Sequence, residues 1–78
     1  MRDINRIDTF MDQVAYIWKE KFPDWRFGQL MSNFFCIVGD PFYYEEDEFI
    51  VAFKAYAEGK NPLEEVKRYR KRKELQNE

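Results

Sequence analysis

The chain of 78 residues contains no histidine and only one cysteine. Without histidine, the commonest general base, the commonest metal ligand and the Ser-His and Cys-His nucleophile pairs are all missing. A single cysteine excludes both an internal disulfide and a cysteine-based structural zinc cluster. We expect Cys36, which lies in the apolar stretch SNFFCIV, to be a buried structural thiol.

Glycine is also scarce, with three residues at isolated positions. Gly28, Gly39 and Gly59 are too far apart to form a loop that cradles phosphate. Catalysis would have to rest on carboxylates, tyrosine or lysine, for which no pocket is evident in the sequence. The sequence therefore predicts a protein that is not an enzyme and that uses no cofactor and no metal ion.

Long apolar runs are absent as well. No stretch approaches the roughly 20 apolar residues that a membrane span needs, and the N-terminal MRDINRID lacks the apolar region of a signal peptide. We therefore expect a cytoplasmic protein without a membrane partner. We also expect one domain, residues 1–78, whose core draws on an aromatic content of 19%.

The spacing of the apolar residues predicts helices, because they recur every three or four positions. The first helix should run from about Ile4 to Phe22, started by Asp3 or Asp8 and ended by Pro23. Its predicted buried stripe consists of Ile7, Phe10, Met11, Val14, Ile17 and Trp18.

The second predicted helix begins at Asp24 as its N-cap and stops at Gly39 in a left-handed conformation. Cys36 and Ile37 widen its apolar stripe, so we expect it to be the most buried helix. Gly28 in its first turn suggests the close approach of another backbone or ring. The stripe itself is Phe27, Leu30, Met31, Phe34, Phe35 and Val38.

Two further helices complete the predicted fold. The third starts with the acidic run at 45–48 and ends at Glu58-Gly59. The fourth starts at Asn61-Pro62 and spans about residues 62–75, with Leu63, Val66 and Tyr69 as candidate contacts and with frayed last turns. The predicted fold class is all-α: a compact three-helix domain, core about residues 4–58, with a fourth, basic C-terminal helix that packs partly or projects.

The charges are divided along the chain, since residues 60–78 hold 7 Lys/Arg against 4 Asp/Glu whereas the body is acidic. The acidic residues Asp40 and 45–48 lack the ligand spacing of a calcium loop. They are typical of a helix N-terminus, where carboxylates favour the helix dipole. They are also compatible with a patch that docks a basic partner.

Two groups of side chains are candidate contact residues for a protein partner. Arg26 and Gln29 share one face of the second helix, where Arg26 either pairs with an acid of 45–48 or binds a ligand with Gln29. The aromatic residues near them either cap the core or form an exposed patch. The candidate protein-interaction surface is Trp25, Arg26, Gln29, Phe42, Tyr43, Tyr44, Glu45, Glu46 and Asp47.

The basic run has three interpretations: a solvated terminal helix, phosphate contact with nucleic acid, and docking on an acidic protein surface. The last includes self-association, in which the basic tail meets the acidic patch of another copy. The candidate nucleic-acid residues are Lys67, Arg68, Arg70, Lys71, Arg72 and Lys73.

Two segments, PDWRFGQL and DPFYYEED, resemble a group of small proteins of Gram-positive bacteria and their phages. The resemblance covers about residues 4–57, leaves the basic tail outside, implies a cytoplasmic or phage context and implies no catalytic residue. The residues that carry it are Pro23, Asp24, Arg26, Gly28, Gln29 and Leu30, then Asp40, Pro41, Phe42, Tyr43, Glu46 and Asp47.

These observations favour a non-enzymatic protein-interaction module with an unidentified protein partner, of phage or prophage origin. The alternative is a nucleic-acid-associated protein that contacts phosphates through the basic helix at 67–73.

Overall fold

The computed structural model describes residues 2–76. Met1, Asn77 and Glu78, which the predicted domain includes, lie outside the described residues. The described residues form four helices: α1 (Asn5–Lys21), α2 (Phe27–Val38), α3 (Glu46–Ala57) and α4 (Pro62–Gln76). No strand occurs in residues 2–76, and the predicted all-α class is confirmed.

Helix α3 lies at the centre and packs against each of the other three helices. Its long contact with α4 is antiparallel, because the short connection at 58–61 returns the chain along α3. Near the start of α3, Arg6 of α1 reaches Glu46, and near its end Phe22 stacks on Tyr56 at 5.6 Å. Helix α1 is therefore parallel to α3, and α2, which connects them, runs in the opposite direction.

The core lies where α2 and α3 face each other. The ring of Phe34 is fully buried, and its centroid lies 5.1 Å from that of Phe53 and 5.2 Å from that of Phe49. Leu30 adds to this layer, and Val66 of α4 is only 2% exposed. Of the two placements expected for the fourth helix, packing against the body is the observed one, so four helices share one core.

The beginning of α2 differs from the prediction. Residues 23–25 form a turn and Arg26 after it has extended backbone (φ −70°, ψ 151°), so the helix starts at Phe27 and Asp24 is not its N-cap. The indole Nε1–H of Trp18 donates to the carbonyl of Trp25 at 2.9 Å. This bond, with the N–H of Trp25 donating to the carbonyl of Phe22, explains why the turn replaces the first predicted helical residues.

Three expectations for the rest of α2 meet different outcomes. Gly39 ends the helix with φ 79°, but its ψ of −156° lies outside the left-handed helical region. The close approach expected at Gly28 is wrong, because a Cβ there would meet no atom within 4 Å. Cys36 is exposed and not a buried thiol. It lies two residues, or about 200° of helix rotation, after Phe34, and so on the opposite face.

The other helices also differ in detail from the prediction. Ile7 and Met11, assigned to the buried stripe of α1, are about half exposed, as is Leu63, expected to contact the body. Helix α4 continues to Gln76, the last residue that the structure describes. The starts of α1 and α4 follow the sequence: Asp3 accepts the N–H of Asn5 at 3.0 Å, and Asn61 accepts the N–H groups of residues 63 and 64.

Candidate functional site

The acidic run at 45–48 forms the first turn of α3, where backbone N–H groups lack helical partners. The Glu48 carboxylate accepts the N–H of Glu45 at 3.0 Å, and the Asp47 carboxylate accepts the N–H of Glu48 at 2.9 Å. The acids therefore satisfy the helix start and lie at the positive end of its dipole. Of the two roles that the sequence indicated for these acids, a helix N-terminus and a docking patch, the structure shows the first.

Each of the four carboxylates also meets a cation from a distant part of the chain. Two cations come from the N-terminal segment and two from α4, so the acidic turn ties both ends of the chain together. The predicted pairing with Arg26 is wrong, because Arg26 lies at the other end of α2, which is about 18 Å long. The pairs are Arg2–Glu45, Arg6–Glu46, Lys73–Asp47 and Arg70–Glu48.

Asp47 is the centre of the contact with α4. One of its oxygens, Oδ2, accepts the hydroxyl of Tyr69 at 2.6 Å and the ammonium of Lys73 at 2.9 Å. Burial alone would raise the pKa of Asp47, but these hydrogen bonds outweigh burial and hold its pKa below the ordinary value. In return, the hydrogen bond to Asp47 raises the pKa of Tyr69 and that of Lys73.

Arg70 makes the second contact between α4 and the start of α3. Its Nε donates to Glu48, and its guanidinium lies 5.4 Å from the centre of the Tyr44 ring. Burial tends to raise the pKa of Glu48, yet the Arg70 hydrogen bond keeps it below the ordinary value. The attraction between the basic tail and the acidic patch, which suggested contact between two copies, is thus satisfied within one chain.

The loop before α3 presents two aromatic side chains to solvent. Phe42 is 76% exposed and Tyr43 is 87% exposed, and their rings meet edge to face at 4.9 Å. The loop has defined internal bonds: Asp40 accepts the N–H of Phe42 at 3.0 Å, and the N–H of Tyr44 donates to the carbonyl of Pro41 at 2.9 Å. Of the two interpretations, Phe42 and Tyr43 form an exposed patch whereas Tyr44 packs on the core.

The predicted contact surface is divided between two ends of the molecule. Trp25 packs on Phe22 at 4.9 Å, near the end of α3, while Phe42 and Tyr43 lie near its start. Arg26 and Gln29 are exposed beside Trp25. The prediction of one continuous surface that joins Trp25 to the Phe42–Tyr44 loop is therefore wrong, because α2 separates them.

Several side chains at the start of α3 were missed as candidates. We call this region the α3-start end: it contains the beginning of α1, the α2–α3 loop, the first turn of α3 and the last turns of α4. Arg2 and Arg6, four positions apart in the sequence, both contribute a cation to this end. The exposed apolar side chains here are Ile4, Ile7, Ile37, Phe42, Tyr43 and Leu75.

The basic run divides into paired and unpaired cations. Arg70 and Lys73 face α3, and Arg68 pairs with Glu65 on α4 itself at 3.0 Å. Within residues 2–76, no ion pair involves the remaining cations of the run. These exposed side chains are Lys67, Lys71 and Arg72.

In the described part of the chain, no three His, Cys, Asp or Glu side chains are grouped so that they could hold a metal ion. None of the four helices, as far as they are described, has the length and apolar character needed to cross a membrane. Comparisons of the chain with protein-family models, with curated proteins and with solved structures found no match.

Proposed function

We propose that the protein is a non-enzymatic interaction module that binds a partner protein through the α3-start end, with Phe42 and Tyr43 as anchors. The observation that supports this most directly is the exposure of these two rings, 76% and 87%, on a loop with its own hydrogen bonds. Aromatic side chains of this kind dominate many protein interfaces. A phage or prophage origin and a cytoplasmic location belong to the same proposal.

The surroundings of the two rings favour a binding surface. Exposed Ile4 and Ile7 at the beginning of α1 lie at the same end, because Arg2 and Arg6 contact the acids of α3. Large apolar patches on a protein surface often mark interaction sites. The turn at 41–44 already fixes the backbone that carries the rings, so binding loses less conformational entropy than it would with a flexible loop.

Charge indicates the chemistry of the partner. The carboxylates at 45–48 are paired within the chain, but Asp3 and Asp40 have no cation partner among the described ion pairs. Both flank the exposed apolar side chains. The partner surface should therefore offer an apolar pocket with Lys or Arg at its rim.

The test uses the double variant Phe42→Ala/Tyr43→Ala. A partner is first captured from cell lysate with the unmodified protein, and its affinity for each variant is then measured by calorimetry. We expect binding to weaken about 100-fold or more, as for truncation of interface anchors. Helical circular dichroism should not change, because neither ring packs in the core.

Tyr16→Ala is the matched control. Tyr16 is also an exposed aromatic residue, 67% exposed, but it lies on α1 beside Lys54, away from the α2–α3 loop. The Tyr16→Ala variant should bind the partner with the same affinity as the unmodified protein. Equal affinity of all three proteins, or an equal loss in both variants, would contradict the proposed surface.

A further inference from the structure

Helix α4 is held in two different ways along its length. Its first turns bury Pro62 and Val66, and Val66 belongs to the core. After Val66, none of the described residues of α4 is buried, and only Tyr69 and Lys73 are partly covered. The second half of the helix, residues 67–76, therefore depends on polar contacts to stay on α3.

Those contacts involve the first turn of α3. Asp47 holds Tyr69 and Lys73, and Glu48 holds Arg70. The cations of these pairs are 44–51% exposed, and Asp47 is 42% exposed whereas Glu48 is only 12% exposed. The Lys73–Asp47 pair is therefore weak in water, and both pairs weaken further with salt. A ligand that offered stronger anionic groups would compete directly with these two carboxylates.

The solvent side of the same helix half presents further cations. Lys67 and Lys71 are one turn apart on one face, where like charges repel, and Arg72 is exposed about 100° farther round the helix than Lys71. Together with Arg70 and Lys73, these three cations are distributed over more than half of the circumference of the helix. This arrangement suits a ligand that carries many negative charges in a row.

Nucleic acid fits this helix better than a membrane surface does. The exposed apolar residues of the described part of α4 are Leu63 and Leu75, which are 12 positions apart. They do not form the continuous apolar face that inserts into a lipid interface. A phosphate backbone requires only cations at helical spacing.

We propose that the second half of α4 binds the phosphate backbone of nucleic acid, and that Asp47 and Glu48 act as an intramolecular competitor for Arg70 and Lys73. With the competitor in place, the helix offers only its outer cations, and binding is weak. When phosphates replace the two carboxylates, Arg70 and Lys73 join the bound set. This function does not depend on the Phe42–Tyr43 surface and can fail or succeed separately from it.

The central experiment compares two double variants that change net charge equally. Asp47→Asn/Glu48→Gln removes the competitor, whereas Asp12→Asn/Glu20→Gln removes two exposed acids of α1 that make no described hydrogen bond or ion pair. Affinity for a short labelled DNA duplex is measured by fluorescence anisotropy over a range of salt concentrations. We expect the first variant to bind about tenfold tighter than the unmodified protein, and the second less than about threefold tighter.

A double-mutant cycle identifies the cations that are released. Adding Arg70→Gln/Lys73→Gln to the Asp47→Asn/Glu48→Gln protein should abolish its gain in affinity. The same two changes should cost less in the unmodified background, where the carboxylates already occupy both side chains. Persistence of the gain without Arg70 and Lys73 would overturn the proposal.

A measurement on the unmodified protein covers the case in which a variant folds poorly. Addition of duplex should shift the NMR signal of the Asp47 carboxyl carbon as Lys73 leaves it. An unchanged signal at saturating duplex would overturn the proposal, as would equal gains in both double variants or no duplex binding at low salt. Binding to vesicles rich in phosphatidylserine without binding to duplex would assign the helix to membranes instead.

Discussion

Phe34 is the side chain on which the packing of α2 against α3 depends most. It is fully buried and lies within 5.7 Å, centroid to centroid, of Phe35, Phe49, Phe53 and Tyr56. Truncation of such a residue removes both its transfer free energy and its contacts with the surrounding rings. A small domain has little stability in reserve, so the loss falls on the whole fold.

We predict that Phe34→Ala lowers the free energy of unfolding by about 3–5 kcal/mol. Because a chain of this length has about 4–12 kcal/mol in total, the variant should be partly unfolded at 37 °C. Urea denaturation followed by circular dichroism measures the change. Phe27→Ala is the control: Phe27 is 47% exposed and should cost only about 1 kcal/mol. Equal losses in the two variants would show that the core is not centred on Phe34.

At the scale of a helix, α2 has one glycine in its first turn and another directly after its last residue, and replacing each by alanine should change the stability of the protein in opposite directions. Gly28 lies in the first turn, where an added methyl group meets open space, whereas Gly39 ends the helix at φ 79° and ψ −156°. L residues other than glycine rarely adopt the second conformation. The helical position, by contrast, favours alanine over glycine.

We predict that Gly39→Ala destabilises the protein by about 1–3 kcal/mol. Gly28→Ala should stabilise it by up to about 1 kcal/mol. Thermal and urea unfolding of both variants, measured together, provide the comparison. A destabilising Gly28→Ala would indicate that a neighbouring group does approach this position, as the sequence first suggested.

At the scale of the whole molecule, the contacts that hold α4 to the first turn of α3 involve carboxylates, which titrate at low pH, and a tyrosine and a lysine, which titrate at high pH. The pKa values of Asp47 and Glu48 lie below their ordinary values. Their contribution to stability is therefore complete above the ordinary carboxyl range and is lost as the pH falls through the lowered values. The pKa values of Tyr69 and Lys73 are raised, so their contribution is complete below their ordinary values and is lost as the pH rises.

We predict a stability maximum that is nearly flat between about pH 5 and about pH 9, with a decline on each side. Urea midpoints measured across the pH range should show both declines. In Asp47→Asn, both should be shallower, because Tyr69 and Lys73 no longer share an ionised carboxylate. Asp12→Asn, on the exposed side of α1, should follow the unmodified protein. A pH profile of Asp47→Asn that matches the unmodified protein would show that this contact contributes no stability.

Local signals predicted the helices well, since their beginnings and ends depend on neighbours in sequence. Asn61-Pro62 starts α4 and Gly39 ends α2 as expected, because capping and backbone conformation are decided within a few residues. The start of α2 was misplaced because a hydrogen bond from Trp18, seven residues away from Trp25, holds the turn.

Contacts between distant residues could not be read from the sequence. The acids at 45–48 were identified, but their partners lie 22 to 43 positions away, and the residue chosen for them, Arg26, is at the wrong end of α2. Exposure at the end of a helix, as for Ile7, depends on how far the neighbouring helices extend. Helical periodicity alone does not contain that information.

The positions of the two tryptophans determine which part of the molecule tryptophan fluorescence reports on. Trp18 and Trp25 are joined by a hydrogen bond in the corner between α1 and α2, close to the end of α3 and roughly a full helix length from Asp47. Their fluorescence will report the melting of that corner and will be nearly silent when the second half of α4 lifts away. A transition seen by far-ultraviolet dichroism before any change in tryptophan emission would therefore be the optical signature of the second half of α4 unfolding by itself.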